Sequence, residues 1–374
     1  MKFFIPGPER KLHVQVADRI LAERVAGRLK PGQMLPPYRQ LAKDYGVGDV
    51  TLLAALKELE RRGIVTPVHG RGTIVRRDVT REDAPLRAVG IVMHGPVGRL
   101  FRYRYLSEIC NGIFTVADAI EPGLDVRLLS YRPAGQGPAD PPTLGASDLG
   151  GLILLGVPDD EATARYARLE LPLVVVDHCT PGLKLDFVVV DNAEAVRTLM
   201  DHLLELGHRR FAYVEAVEPP LTPTLEWDRL ERRRLVGDRL RQAGLACEIL
   251  EIPRLAGRSG APEGVRLAQR LREPDAPTAL VCYDETTAAD VADLLGRHNI
   301  SFPGDVSLAS VAAAGERELA GRLLTSCIIN FYKMGHDAMH LLLSRHLKGR
   351  PKEPSFVRTP VWLMPGQTAA AVGS

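Results

Sequence analysis

Apolar residues recur at helical spacing at the start of the chain. Within residues 11–28, Val16, Ile20 and Leu21 fall near a 3.6-residue period, which predicts an amphipathic helix. The segment "LKPGQMLP" ends that helix, and two shorter helical segments follow, "YRQLAKDYG" and "DVTLLAALKELERRG". Next comes "IVTPVHGRGTIV", whose two β-rich arms around a glycine-containing tip predict a hairpin. Three helices and a hairpin predict a winged helix-turn-helix over residues 1–77.

The hairpin tip carries two glycines, a histidine and an arginine. A phosphate-binding loop needs its glycines between a strand and a helix, but here a strand follows them. In a hairpin tip, glycine permits positive φ and a close approach to another surface. His69 and Arg71 can then donate hydrogen bonds to phosphates or reach into a minor groove. The pattern therefore favours a nucleic-acid contact over a nucleotide site.

Beyond the charged segment "RRDVTREDAPLR", short apolar runs alternate with helix-like stretches. The strand-like runs are "AVGIVMHG", "DVRLLSY", "GGLILLG", "LPLVVVD", "DFVVVDN", "RRFAYVEA", "CEILEI", "TALVCYD" and "DVSLASV". Several are continuously apolar, as strands covered by helices on both faces must be. So many strands exceed one typical sheet. The body is therefore predicted to be α/β, with parallel sheets in two lobes around a cleft.

The charge distribution separates the two parts. The whole chain of 374 residues carries a formal net charge of only +2. Residues 1–77 nevertheless hold 15 Lys and Arg against 7 Asp and Glu, and the remainder has an acidic excess. A basic front segment suits a polyanion, and an acidic body does not.

The sequence gives no sign of a membrane protein, a metal or cofactor site, or an enzyme. No apolar run is long enough for a membrane span, and the N-terminus lacks the pattern of a signal peptide, so we expect a cytoplasmic protein without a membrane partner. The five cysteines are scattered singly, so neither a metal site nor a cofactor is expected. The motifs G-x-S-x-G, HExxH and Walker A are missing, which argues against an enzyme.

Two stretches resemble known regulator families. "LKPGQMLPPYRQLAKDYGVGDVTLLAALKELERRGIVTPVHGRGTIV", within residues 11–75, resembles the GntR family of bacterial transcription regulators. Residues 87–368 resemble the ligand-binding domain of LacI-type regulators, which is similar to periplasmic sugar-binding proteins. The segments that carry this second resemblance are "VVVDNAEAVRTLMDHLLELGHRRFAYV", "RLVGDRLRQAGL", "PTALVCYDETTAADVADLLGRHNISFPGDVSL" and "LLTSCIINFYKMGHDAMHLLL".

A GntR head on a LacI-type body is the arrangement of arabinose-repressor-like regulators. The resemblance implies a homodimer that binds double-stranded DNA, as a repressor, with an affinity set by a small molecule in the interlobe cleft. Sugars are among the candidate effectors. It also implies a winged-helix domain over 1–77, a linker over 78–86, an effector and dimerisation domain over 87–368, and a tail over 369–374.

The resemblance assigns DNA contacts in the head. The third helix would lie in the major groove and the wing against the adjacent groove or backbone. Arg39 and Thr51 match contact positions, and His69, Gly70 and Arg71 match the wing tip. A solvated helix face or a salt bridge is the alternative role for Arg39, and simple solvent exposure is the alternative for His69.

The third helix departs from the family. Where Ser-Arg-x-Thr-Val-Arg is common, the chain has "GDVTLL", so Gly48 and Asp49 occupy the Ser-Arg positions and Leu53 replaces the second arginine. An arginine–guanine pair contributes about 1–3 kcal/mol of discrimination, so a known operator sequence should not be transferred. Asp49 either caps the helix or accepts a hydrogen bond from cytosine N4.

The resemblance also assigns residues to the effector cleft, at the carboxyl ends of parallel strands. The assigned residues are Phe101, Tyr103, Asp177, Arg234, Tyr283, Asp284 and Phe331. Arg234 would grip effector hydroxyls, or it is one of several solvated charges in "ERRRL". Tyr283 replaces an amide of the family, and "AAAG" offers no carboxylate near Ala312. A cleft short of polar groups would not suit an ordinary hexose, or would sense ligands weakly.

A second function stays open because the third helix is atypical. The chain would then be a binding protein with degenerate DNA readout that acts through nonspecific DNA or protein contacts.

Overall fold

The computed structural model describes most of the chain. The described residues are 11–25, 29–30, 32–61, 64–68, 72–76, 86, 88–94, 98, 103–120, 123–131, 149–157, 160–169, 171–180, 182–217, 226–253, 262–348 and 353–373. Among the predicted site residues, His69, Gly70, Arg71 and Phe101 lie outside these ranges, as does most of the predicted linker.

The first part, called the head, is the predicted winged helix-turn-helix. It consists of α1 (Leu12–Val25), α2 (Tyr38–Tyr45), α3 (Asp49–Arg61), β1 (Val65–Val68) and β2 (Gly72–Val75). The two strands pair antiparallel, with Val65 opposite Val75. Helix α2 ends at Gly46, whose φ of 66° is a left-handed conformation that glycine adopts without steric cost. The amphipathic pattern decides the packing, because the apolar faces of α1, α2 and α3 close over one core.

Lobe 1 is built on a parallel sheet with the strand order β15-β7-β6-β5-β3-β4. Its strands are β3 (Ala88–His94), β4 (Asp125–Tyr131), β5 (Gly151–Leu155), β6 (Leu173–Val176), β7 (Asp186–Val190) and β15 (Phe356–Thr359). Helices α4 (Arg104–Asp118), α5 (Asp160–Ala167) and α10 (Phe331–Lys348) cover it. The strands β5, β6 and β7 are buried along their whole length, as their continuously apolar sequences predict.

Lobe 2 repeats this plan with the strand order β16-β14-β11-β10-β8-β9. Its strands are β8 (Phe211–Val217), β9 (Cys247–Pro253), β10 (Ala279–Cys282), β11 (Ser307–Ala313), β14 (Thr325–Ile329) and β16 (Val361–Met364). Its helices are α6 (Asn192–Glu205), α7 (Glu226–Gln242), α8 (Pro262–Arg270) and α9 (Glu285–Arg297), and β12 (Glu318–Leu319) pairs with β13 (Arg322–Leu323). Only β16 runs antiparallel to its neighbour in this sheet.

All nine strands predicted in the body are present, and the predicted two-lobed α/β fold with parallel sheets is confirmed. The chain passes between the lobes three times, at Asp191 after β7, at Asn330 after β14 and at Pro360 after β15. These three connections lie together at the junction of the lobes, so a rotation of one lobe against the other would be absorbed there.

Helices α4 and α10 cross at two glycines. A Cβ atom on Gly112 would collide with the backbone carbonyl of Tyr332, and one on Gly335 with that of Ile109. Only glycine permits the two backbones to approach this closely. The crossing holds α10 firmly in lobe 1.

The head packs directly against lobe 1. Helix α1 lies against α10, and the core of the head is continuous with the apolar layer between α10 and the lobe 1 sheet. Within the contact, His340 Nε2 lies 3.5 Å from Asp18 Oδ2, and both side chains are largely buried. Leu86, the described end of the predicted linker, is buried as well. The head is thus held by packing in addition to its covalent connection.

The C-terminal segment, predicted as a tail over 369–374, is bound to lobe 2 through its described residues. Both backbone groups of Ala370 make hydrogen-bond contacts with lobe 2. Its N–H donates to Ser307 Oγ at 3.1 Å, and its carbonyl oxygen lies 3.1 Å from His208 Nε2. The Val372 N–H donates to the carbonyl of Leu206 at 2.9 Å. These contacts fasten the segment to lobe 2.

Candidate functional site

In the head, the predicted DNA-contacting residues that the structure describes lie at one end of α3. Arg39 is fully exposed at the start of α2, with its guanidinium 5.9 Å from the centre of the Tyr38 ring. The hydrogen bond to Tyr38 raises the pKa of Arg39, and the charges of Tyr38 and Asp49 raise it further. Thr51 is half-buried in the first turn of α3. Arg39, Asp49 and Thr51 are therefore brought together around the beginning of this helix.

Asp49 is the first residue of α3, and the position before the helix belongs to Gly48, whose carbonyl accepts from the Leu52 N–H at 3.0 Å. The interpretation of Asp49 as the N-cap is therefore wrong by one residue. Its carboxylate instead lies in the first turn, where the helix dipole stabilises negative charge.

In the body, a group of buried and half-buried polar side chains lies where the lobes meet. We call it the cleft network: Asp177, Asn192, Asp228, Glu231, Arg232 and Tyr283. Asp177 ends β6 in lobe 1, whereas the other five belong to α6, α7 and the end of β10 in lobe 2. Asp177 has a φ of 59°, which is rare for a residue with a side chain and occurs often at functional sites.

Arg232 lies at the centre of the cleft network. Its Nε donates to Asn192 Oδ1 at 2.8 Å, and its Nη1 lies 3.4 Å from the carbonyl oxygen of Tyr283. Its Nη2 is 3.9 Å from Asp228 Oδ2, and the guanidinium lies 4.9 Å from the centre of the Tyr283 ring. The buried guanidinium is thus satisfied by charge, by hydrogen bonds and by an aromatic face.

Acidic groups outnumber this one arginine. The Asn192 amide donates to Asp228 Oδ1 at 2.7 Å and to Glu231 Oε2 at 2.6 Å. The Asp177 carboxyl is hydrogen-bonded to that of Asp228. Burial raises the pKa of Asp177 well above its usual range, and the charge of Asp228 raises it further, while Arg232 opposes the shift. Asp177 of lobe 1 and Asp228 of lobe 2 thus interact across the junction of the lobes.

Arg234 does not occupy the cleft, and this prediction is wrong. Its side chain is 61% exposed and pairs with Asp238 at 2.8 Å, whereas Arg232 is 4% exposed. The cause is helical phase, because Arg232 shares a stripe with the buried Val236 and Leu240 at spacings of four residues. That spacing is present in the sequence and could have identified Arg232.

Two other predicted cleft residues, Tyr103 and Phe331, lie at the edge of lobe 1 with Tyr105 between them, and we call these three rings the aromatic row. The Tyr105 ring lies 6.2 Å from that of Tyr103 and 5.5 Å from that of Phe331. Next to Tyr103, the Arg104 guanidinium reaches lobe 2, because a Cβ built on Gly315 would be 2.8 Å from its Nη2. The row therefore lies at the junction of the lobes, and its middle member, Tyr105, was not predicted.

Asp284 has a structural role, because its Oδ1 accepts from the Thr287 N–H at 2.7 Å and caps α9. Asp191 caps α6 in the same way, through the Glu194 N–H at 3.2 Å, as expected of an aspartate at a helix start. Neither role requires a ligand.

The expectation of a cleft short of polar groups is also wrong. Asn192, Asp228, Glu231 and Arg232 supply donors and acceptors that the family positions at Tyr283 and Ala312 lack. The sequence did not reveal them because they come from two helices, and Asn192 and Asp228 are 36 residues apart in the chain. No group of three metal-ligating side chains occurs among the residues that the structure describes.

Comparison with known proteins follows the same division of the chain. Residues 12–75 match the bacterial regulatory proteins of the gntR family, and residues 200–369 match a periplasmic binding protein-like domain. The chain joins a gntR regulatory head to a periplasmic-binding-protein-like body.

Two curated relatives match more than half of the chain. The chain is 25% identical over 310 residues to the arabinose metabolism transcriptional repressor of Geobacillus stearothermophilus, a match that covers 79% of this chain and 80% of that one. The transcriptional repressor MelR of Bacillus subtilis is 28% identical over 224 residues, covering 59% of this chain and 63% of the relative.

Solved structures resemble the body in fold. The lac repressor dimer bound to operator and the anti-inducer ONPF superimposes with a TM-score of 0.60 at 18% identity, covering 76% of this chain and 94% of that one. A LacI family regulator from Weissella paramesenteroides with bound glucose gives a TM-score of 0.59 at 16% identity, covering 77% of this chain and 100% of that one. None of the described helices is apolar over a membrane-spanning length.

Proposed function

We propose that the protein is a bacterial transcription repressor that acts in the cytoplasm as a homodimer. Its gntR head binds double-stranded DNA, and its body binds a small effector in the interlobe cleft. The observation that carries this proposal is the polar cleft network at the lobe junction of a body that is packed directly against a DNA-binding head. The relatives named as transcriptional repressors support it.

The effector is a small molecule rich in hydroxyl groups. Such a ligand needs acceptors and donors in about equal measure, since buried hydroxyls without partners cost free energy. Asp177, Asp228 and Glu231 supply acceptors, and Asn192 and Arg232 supply donors. The aromatic row of Tyr103, Tyr105 and Phe331 offers an apolar surface for the face of a ring.

Effector binding is transmitted through lobe movement. A ligand shifts the position of the lobes only if it binds one arrangement more tightly than another. Asp177 on one lobe and Asp228 on the other interact already, so a hydroxylated ligand that hydrogen-bonds to both carboxyl groups would change how the lobes fit together. Because α1 of the head packs on α10 of lobe 1, the heads would move with that lobe.

The test measures binding to DNA upstream of the protein's own gene by fluorescence anisotropy at two salt concentrations. Specific binding at about 10⁻⁸ M or tighter, at least about 1000-fold above random DNA, is expected. A panel of sugars and polyols is then added, and one of them should change the affinity. The variant Arg234→Gln serves as a control and should respond to the panel as the intact protein does, since Arg234 lies on the exposed side of α7. Equal affinity for upstream and random DNA would contradict the proposal.

One observation favours a second function, DNA binding with little sequence preference. The start of α3 has Asp49 and Leu53 at the two arginine positions of the family, with the exposed Val50 beside Asp49, so it has few side chains that can donate hydrogen bonds to base edges. On this alternative, upstream and random DNA bind alike, and the affinity falls steeply with salt for both.

A further inference from the structure

The outer face of α3 carries exposed apolar side chains. Val50 is 83% exposed and Leu53 is 49% exposed. Together with Lys57 they form a stripe at spacings of three and four residues, which we call the outer stripe. The opposite face of the same helix packs Leu52 and Leu59 into the head core. The outer stripe therefore contributes little to folding of the head.

The charges around the outer stripe identify its partner as a nucleic acid. Lys57 continues the stripe beyond the apolar pair, and the exposed Arg39 lies at its start. Residues 1–77 carry 15 basic against 7 acidic residues. In a helix-turn-helix protein, the residues at the start of the second helix of the motif face the base edges in the major groove. Val50 and Leu53 hold that position here.

An apolar side chain can recognise only one feature of the major groove. Every base edge there offers hydrogen-bond donors or acceptors, and thymine alone adds an apolar group, its C5 methyl. Asp49, beside Val50, can only accept hydrogen bonds when ionised, so it disfavours guanine, whose O6 and N7 are both acceptors.

We propose that Val50 and Leu53 recognise the C5 methyl groups of thymines, so that T·A base pairs face the start of α3 in the preferred DNA site. This inference rests on the proposed function, because it requires that α3 bind DNA. It also replaces the alternative of degenerate readout with a specific one, since shape and methyl contacts discriminate between bases without arginine.

The test exchanges thymine for deoxyuridine, which removes the methyl group and leaves base pairing intact. A bound upstream fragment is first mapped by footprinting, and each thymine of the protected half-site is then replaced in turn. For the intact protein, the dissociation constant should rise about fourfold for each contacted methyl, which corresponds to about 0.8 kcal/mol. Thymines outside the contacted positions should give no change.

Two variants locate the effect on the protein. The double variant Val50→Ala, Leu53→Ala should bind thymine and deoxyuridine DNA equally well, because the side chains that touch the methyl groups are gone. Lys57→Gln should weaken binding to both DNAs by the same factor and reduce the salt dependence, as the loss of a phosphate contact does. Circular dichroism verifies that both variants are folded.

The outcomes separate the two proposals. If the intact protein binds its site but deoxyuridine at every position leaves the affinity unchanged, thymine recognition is overturned and DNA binding stands. Failure to bind any DNA fragment would overturn both. Self-association of the intact protein that the double variant abolishes, with no change in DNA affinity, would identify the outer stripe as an interface between copies and overturn thymine recognition alone.

Discussion

The outer stripe of α3 and the cleft network of the body are opposite in chemistry. The first exposes apolar side chains where a DNA-binding helix usually carries charged ones, and the second buries charged side chains between two apolar lobes. Each arrangement is unfavourable for an isolated folded chain, because exposed apolar surface and buried charge both raise its free energy. The difference teaches that the two surfaces are prepared for binding in different ways. The polar groups of the cleft network bond to one another, so an effector must replace those contacts, whereas Val50 and Leu53 of the outer stripe are exposed to solvent.

The largest expected effect is a loss of stability caused by a substitution that breaks the cleft network. Arg232→Met removes the only guanidinium in the network and leaves the carboxylates of Asp228 and Glu231 uncompensated. We expect a loss of about 3–5 kcal/mol in the free energy of unfolding, because one partner of a buried charged group is removed. Urea unfolding measures it. The control, Arg234→Met two residues away on the exposed side, should change stability by about 0.5 kcal/mol or less. Similar effects of the two variants would contradict the assignment of Arg232 to the network.

A pH series examines the raised pKa of Asp177 in the cleft network. The pKa of Asp177 is raised in the folded protein, mainly by burial, and lies near about 3.9 when unfolded. Its stabilising contribution is therefore complete below the unfolded pKa and is lost as pH rises through the folded one. Asp177→Asn removes this dependence, so relative to the intact protein it should gain stability as pH rises above about 4.

The gain should exceed the ~0.5 kcal/mol typical of an exposed substitution. It is measured by urea unfolding at each pH, with Asp44→Asn on the exposed face of α2 as control. A constant difference between Asp177→Asn and the intact protein across this range would show that Asp177 holds no extra proton.

The smallest expected effect concerns the outer stripe. Val50→Ala and Leu53→Ala should each change the free energy of unfolding by about 0.5 kcal/mol or less, because about half or more of each side chain is exposed to water. Leu52→Ala, on the buried face of the same helix, should cost about 2–5 kcal/mol. Thermal unfolding distinguishes the two classes. A large loss for Val50→Ala would mean that this side chain packs within the chain and is not available to DNA.

Predictions from local sequence patterns succeeded where one element decides the outcome. The spacing of Val16, Ile20 and Leu21 predicted α1, and the continuous apolar runs predicted the buried strands of both lobes. Prediction failed where the side of a helix on which a residue lies decided between two nearby arginines. Arg232 and Arg234 both belong to the arginine run "ERRRL". They lie on different sides of α7, so Arg232 is buried in the cleft and Arg234 is exposed to solvent.

The sequence by itself determined the two parts of the chain, the order of their elements and the charge difference between them, because periodicity and composition act over short stretches. The tertiary structure decided the cleft network, the packing of α1 on α10 and the attachment of the C-terminal segment to lobe 2. These features join residues far apart in the chain. Their energies depend on burial and distance in space, which no local pattern encodes.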